Sequence, residues 1–224
     1  MNDKRKSLGI LPVTLPDSTT VPVHLYRKTS GRRLSVRLCY GVVDCYLLPG
    51  HTENQVRKFL QVVLSQRKGY YLDRPFYKEG EYLYVLGTRK KIAFGGKDSE
   101  DVFALRANAK DPLVRYRKLF QNYLEERVPV LAERMGLDVK GFRFRTGLFL
   151  SYYGSCFPKK KQIKFDYRLF AYRKDIIDSV IFHELCHLFE THHNDRFYRL
   201  LYLYCPDYDR MQDFLVRGFF QGEE

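Results

Sequence analysis

The run His183-Glu184-Leu185-Cys186-His187 constrains this chain more than any other stretch of its 224 residues. It fits the pattern His-Glu-x-x-His and lies in a segment whose apolar spacing predicts a helix from about Lys174 to Phe189. Residues four apart on a helix sit one turn from each other on the same face. Both imidazoles can therefore converge on one cation, with Glu184 beside them directed at a metal-bound water. The chain has 6 His and 11 Glu, from which composition alone yields about 0.01 such matches. The pattern is thus no accident of composition, and the chemistry it predicts is a metal-activated nucleophile.

A catalytic zinc takes three protein ligands and keeps a fourth position open. His193 follows His187 by six residues, which on a continuous helix would carry it well off the shared face, so the helix must end first. The segment Glu190–Asp195 supplies that ending. Thr191 and Asn194 are poor helix formers, and Asn194 or Asp195 can cap a further helix running to about Tyr204. The spacing equals that of the metzincin motif, but Glu190 stands where those sequences carry the glycine of a sharp turn, and that reading is rejected. His192 competes with His193 as third ligand. Glu190 is a further candidate, as a carboxylate ligand or as the acceptor that orients a ligand imidazole.

Four ordered blocks carry a resemblance: "YYGSC" (152–156), "QIKFDYRLF" (162–170), "IIDSVIFHELCHLFETHHNDRFY" (176–198) and "CPDY" (205–208). In this order they resemble the YgjP-like metallopeptidase family, with more distant similarity to SprT-like zinc proteases. "RRLSVRL" (32–38), a helix near 52–72 and "GEYLYVLGTRKKIAF" (80–94) resemble the basic strand, helix and hairpin of the same family. The resemblance implies a polypeptide substrate and places the third histidine on His193. The chain departs from the family pattern at Tyr152, where a basic residue is common, at Tyr153 for Trp, at Asp166 for Asn, at His192 for Asn and at Asn194 for Ser.

The formal net charge is +13. Residues 1–100 hold 18 Lys/Arg against 9 Asp/Glu, and residues 101–224 hold 21 against 17, so the excess lies mostly before the motif. Such a field attracts nucleic acid or nucleotides, among other anions. The basic clusters are Lys4-Arg5-Lys6, Arg32-Arg33, Arg89-Lys90-Lys91 and Lys159-Lys160-Lys161. The five cysteines form no Cys-x-x-Cys pair and are odd in number, which suits reduced thiols. Cys186 is expected to pack inward, away from the metal face, and Cys156 to be structural. The apolar stretch near the start is short and broken by proline, and nowhere do about 18 apolar residues run together. These features predict a cytoplasmic protein with no membrane segment.

Residues 1–24, with Pro12, Pro16 and Pro22, are expected to form a loosely ordered lead, followed by one domain over 25–218 with a β-rich part (25–110) and a catalytic part (111–218). Leu34–Tyr40 and Val43–Leu48 read as a hairpin, and Thr52 with Gln55 as a capping box for a helix to about Leu72. Strands are expected at 82–87, 89–95 and 102–105. A long helix should start at Asp111-Pro112 and end at Gly136, kinked or divided by Pro129. Phe142–Arg145 and Gln162–Leu169 read as strands, the latter as the edge that would hold an extended substrate. The sum is an α+β, zincin-like fold in which His183, His187 and His193 hold Zn²⁺ and Glu184 is the general base. Two alternatives stand beside it. One is hydrolysis of a nucleoside triphosphate or other phosphoanhydride, although no Walker-type Gly-Lys-Ser/Thr run occurs. The other is a zinc-stabilised nucleic-acid-binding module, although structural zinc sites usually close with four ligands rich in Cys.

Overall fold

The computed structural model describes residues 6–28, 33–39, 42–65, 76–78, 80–109, 111–149 and 152–222. The chain is a mixed α+β protein that divides into two compact units, residues 1–75 with 216–218, and residues 76–215 with 219–224.

The first unit is a four-stranded sheet with one helix. Strands β1 (Lys6–Thr14), β2 (Thr20–Arg27), β3 (Ser35–Cys39) and β4 (Val42–Leu47) lie in the order β1-β2-β4-β3, and α1 spans Glu53–Ser65. Here the expectation of a loosely ordered lead through residue 24 is corrected. Leu11, Val13 and Leu15 alternate with exposed residues, as do Val21 and Val23, and all five are buried. Pro12 and Pro22 pair opposite one another on the exposed side of β1 and β2. The period-two apolar pattern therefore survives the prolines, one of them on an edge strand, where a missing donor is tolerated. The hairpin β3–β4 forms as read, in antiparallel register.

The capping box also forms: the Thr52 backbone N–H donates to Gln55 Oε1 at 3.0 Å and the Gln55 N–H to Thr52 Oγ1 at 3.4 Å. Val56, Leu60 and Leu64, one turn apart, bury the inner face of α1 in the sheet's core. Arg57 and Gln61 clamp the helix onto β1 by donating to the carbonyls of Pro12 (2.6 Å) and Thr14 (2.9 Å). The expected extension of this helix to Leu72 lies outside the described residues, as do the clusters at Lys4-Arg5 and Arg32.

The second unit begins with a sheet of β5 (Tyr77–Lys78), β6 (Tyr82–Val85), β7 (Thr88–Phe94) and β8 (Val102–Leu105), in that order. The β6–β7 turn falls on Leu86-Gly87, with φ of 49° and 87°, so β6 stops at Val85 and not at the expected residue 87. Both N–H groups donate to carbonyls of a 3₁₀ segment, Tyr167–Ala171, at 2.8 and 3.0 Å. Helix α2 (Pro112–Arg134) follows, capped by the Asp111 side chain, and Gly136 (φ 68°) lies just past its C-cap. Pro129 does not divide it. That residue lies on the exposed face, while Tyr116, Phe120, Leu124, Val128 and Leu131 form a buried stripe at helical spacing that holds the helix to the core.

A three-stranded sheet comes next: β9 (Arg143–Gly147), β10 (Gly154–Phe157) and β11 (Gln162–Asp166), in the order β10-β11-β9. β11 pairs on both sides, so the strand expected at the edge is central, and β10 and β9 are the edges. The chain then forms α3 (Lys174–Cys186), α4 (Asp195–Tyr204) and α5 (Tyr208–Arg217). α3 is apolar nearly all round, with Ile176, Ile177, Val180, Ile181, Phe182 and Leu185 buried. A helix of that kind must be wrapped by other elements, and α3 packs against α2, α4 and β10. The Arg127 guanidinium of α2 grips both carboxylate oxygens of Asp178 on α3.

Candidate metal centre

α3 delivers His183 and Glu184 within its last turn, and His187 is its C-cap, with φ −66° and ψ −10°. Past it the helix is closed by the Glu190 N–H donating to the Cys186 carbonyl at 3.0 Å. Helix α4 is started by Asn194, whose side chain accepts from the Phe197 N–H at 3.0 Å. Between these two devices the chain turns sharply enough to return His193 to the His183/His187 face. One ligand atom from each of the three histidines lies within 4.8 Å of the others, and the Nε2 atoms of His183 and His193 are 2.9 Å apart. Among the described residues that group contains neither His192 nor Glu190. Glu190 acts on the loop instead, its carboxylate accepting from the His192 N–H at 3.2 Å.

Phe197, fully buried in the first turn of α4, is the platform on which the cluster rests. Its ring centroid lies 5.0, 4.8 and 4.7 Å from those of His183, His187 and His193. The tautomers follow from the far nitrogens. His187 Nδ1 is 3.1 Å from the Glu190 carbonyl, which can only accept, so Nδ1 carries the proton and Nε2 keeps its lone pair. His183 Nδ1 is 2.7 Å from the Tyr208 hydroxyl at the start of α5. Burial, reinforced by His187 and His193, pushes the pKa of His183 down to about 3, and burial also lowers that of His187. Both are thus neutral imidazoles at ordinary pH, the form that ligates metal.

Glu184 is 4% exposed. Its carboxylate hydrogen-bonds the Cys156 backbone N–H, and its Oε2 is buried with no hydrogen-bond partner. Burial raises its pKa to about 8. Gly154 makes room for it: a Cβ at that position would stand 2.6 Å from Glu184 Cγ and Oε1. Asp166, buried on β11, accepts from the Phe149 N–H at 2.9 Å and from Arg168 Nε at 3.0 Å. It thereby ties the end of β9 to the end of β11, next to the segment that carries Tyr152 and Tyr153. Both tyrosines line the cleft over the histidines, a cavity of about 420 Å³. Tyr152, 44% exposed, stacks on Phe149 with centroids 4.8 Å apart. Cys186 is buried, its thiol pushed up to about 12 by that burial. Among the described residues Cys45, Cys156, Cys186 and Cys205 are free thiols, and no helix is long and apolar enough to cross a membrane.

The donor set fits a divalent cation. Three imidazoles converge, and the acceptor-only oxygen of Glu190 fixes one of them with its lone pair inward. The unpartnered Glu184 oxygen lines the same cleft, where a bound cation would offset its burial and favour its ionised form. Three such nitrogens beside a buried carboxylate, carried on an α+β frame, form a group that could hold a metal ion. The chain belongs to the YgjP-like metallopeptidase domain family, whose profile matches residues 51–217. That membership implies a divalent metal and a metallohydrolase. No curated protein and no solved structure matches the chain.

The sequence pointed to His183, Glu184, His187 and His193, and left His192 and Glu190 as alternatives. It did not reveal the parts played by Gly154, Phe197 and Tyr208. Gly154 and Tyr208 stand in the "YYGSC" and "CPDY" blocks, so their positions were visible. Their roles depend on distances to residues 30 and 25 positions away, which no local pattern encodes.

Proposed function

We propose that this chain is a zinc-dependent peptidase of zincin-like build, in which His183, His187 and His193 hold the ion and Glu184 is the general base. The observation that carries the reading is the convergence of three ring nitrogens beside a buried carboxylate oxygen without a partner. When bound, zinc supplies a Lewis acid that polarises a carbonyl and makes water acidic near pH 7.

The chain's own residues supply the rest. Glu184, lining the cleft, takes the proton from an attacking water and hands it to the leaving amine. With its carboxyl raised to about 8 by burial, it is a base at neutral pH only when a neighbouring positive charge offsets that burial. The Cys156 N–H holds one side of the carboxylate in place while the proton moves. The outer edge of β10, at Gly154 and Ser155, borders the cleft and can hold an extended polypeptide by backbone pairing, the role the sequence had suggested for Gln162–Leu169.

Among the described residues no Lys or Arg lines this cleft. A phosphoanhydride substrate needs cationic contacts at its phosphates, so polypeptide is the favoured substrate. A merely structural zinc normally takes a fourth protein ligand, whereas the group here offers three. The test compares hydrolysis of an unfolded protein and of nucleoside triphosphates by the zinc-loaded chain. Cleavage of the polypeptide, abolished by chelator, is expected. Cleavage of the triphosphate alone contradicts the reading.

A further inference from the structure

The same unit holds a second cavity, about 900 Å³, that shares no lining residue with the histidine cleft. One wall is α2 along Asp111, Arg115, Lys118 and Asn122, residues three and four apart on one face. At 1.5 Å per residue this face runs about 16 Å. The other wall is the β7–β8 turn around Gly95-Gly96-Lys97, together with Arg106 and Asn108 after β8. The floor is apolar, with Ala104 and Leu105 buried.

The charges of this groove do not cancel. Asp98 is engaged by Arg115, which also donates to the Ala104 carbonyl, and Asp98 Oδ1 accepts from the Ala104 N–H at 2.8 Å. Asp111 is taken up by the Leu113 N–H and by Arg117, each with a contact of 2.8 to 3.0 Å. Both acids of the lining therefore face the scaffold. Lys97, Arg106 and Lys118 are exposed and make no ion pair or hydrogen bond with a described residue. Three cations without an ion-pair partner among the described residues thus share one concavity, whose aspartates are committed to holding its shape.

We propose that this groove binds a chain of phosphates, supplied either by the backbone of a single nucleic-acid strand or by the polyphosphate tail of a nucleotide. A single carboxylate or phosphate would leave two of the three cations unmatched, whereas a ligand that carries several negative charges in a row can meet cations on both walls, Lys118 on α2 and Lys97 and Arg106 opposite. The lining offers no aromatic platform for bases, so recognition runs through phosphates with little sequence preference.

The test uses the full chain carrying Glu184→Gln, with metal chelated, so that it is independent of the metal centre. A fluorescein-labelled 12-nucleotide oligothymidylate is titrated at several salt concentrations from about 50 mM, for this protein, for a groove triple (Lys97→Gln, Arg106→Gln, Lys118→Gln) and for a control triple of equal charge loss at exposed sites elsewhere (Arg134→Gln, Lys140→Gln, Lys174→Gln). The slope of log affinity against log salt should fall by about 2 in the groove triple, three contacts at about 0.7 each, and hold in the control. Competition by adenosine triphosphate and by tripolyphosphate assigns the polyphosphate source, and its absence assigns the nucleic-acid strand. Equal loss in both triples, no binding by the unmodified groove, or tighter binding of polyglutamate than of oligothymidylate overturns the proposal. The single change Lys118→Glu repeats the comparison should the groove triple fail to fold.

Discussion

Replacing Gly154 with alanine puts a methyl group where Glu184 now lies. The added Cβ would meet Glu184 Cγ and Oε1 at 2.6 Å and Cδ at 2.8 Å, whereas ordinary contact begins at 3.4 Å. Something must move by about 0.8 Å. Glu184 is 4% exposed and lines the cleft, so either its carboxylate swings off the Cys156 N–H toward the cleft or β10 and α3 separate. Overpacking of a well-filled site costs about 1–3 kcal/mol, and a general base misplaced by about 1 Å costs about 10²-fold in rate.

Gly154→Ala is therefore expected to keep its zinc, since no histidine is touched, while losing about two orders of magnitude in kcat and melting at lower temperature. A double-mutant cycle isolates the cause. In the Glu184→Ala background the collision partner is gone, and the stability cost of Gly154→Ala should shrink to near zero. Parental activity in Gly154→Ala, or an equal stability cost in both backgrounds, would refute the steric account.

The histidine assignment predicts that His183→Ala, His187→Ala and His193→Ala each lose zinc, measured by metal analysis after dialysis, whereas His192→Ala retains it; the reverse for His192 and His193 would exchange their roles. Tyr208→Phe removes the hydroxyl that meets His183 Nδ1 and should weaken zinc binding about 10–100-fold in a chelator competition, with the metal-free melting temperature nearly unchanged. In the first unit, burial holds the Cys45 thiol at about 11, against an opposing pull from Lys28. A raised acid pKa contributes stability that is complete below the unfolded value near 9 and is lost as pH rises through about 11. The alkaline decline of stability between those values should thus flatten in Cys45→Ala, as read by denaturant melts across that range.

Elements governed by local rules were legible in the sequence. The Thr52–Gln55 capping box, the Asp111-Pro112 start of α2 and the Asn194 cap each depend on residues a few positions apart, and each forms. Three features were not. The strands over 6–27 hide behind prolines whose harmlessness depends on their facing each other across a pair. Pro129 sits within an unbroken helix because the buried stripe on the opposite face outweighs one lost hydrogen bond. The central place of β11, which was expected at the edge, is a matter of long-range pairing, which alternation along the strand leaves undetermined. At the site, the spacing of His183, His187 and His193 already suggested that they could meet, but the glycine-made space for Glu184 and the platform under the imidazoles were not legible.

The central claim, a metal-dependent hydrolase with Glu184 as base, is tested most directly by Glu184→Gln, assayed for zinc content, melting temperature and hydrolysis of an unfolded polypeptide together. Glutamine has the size and shape of glutamate but cannot take a proton, and loss of such a base costs about 10²–10⁴ in rate. Unchanged zinc stoichiometry with hydrolysis reduced by that factor is the predicted result. Near-parental hydrolysis by Glu184→Gln would contradict it and leave the reaction to another base.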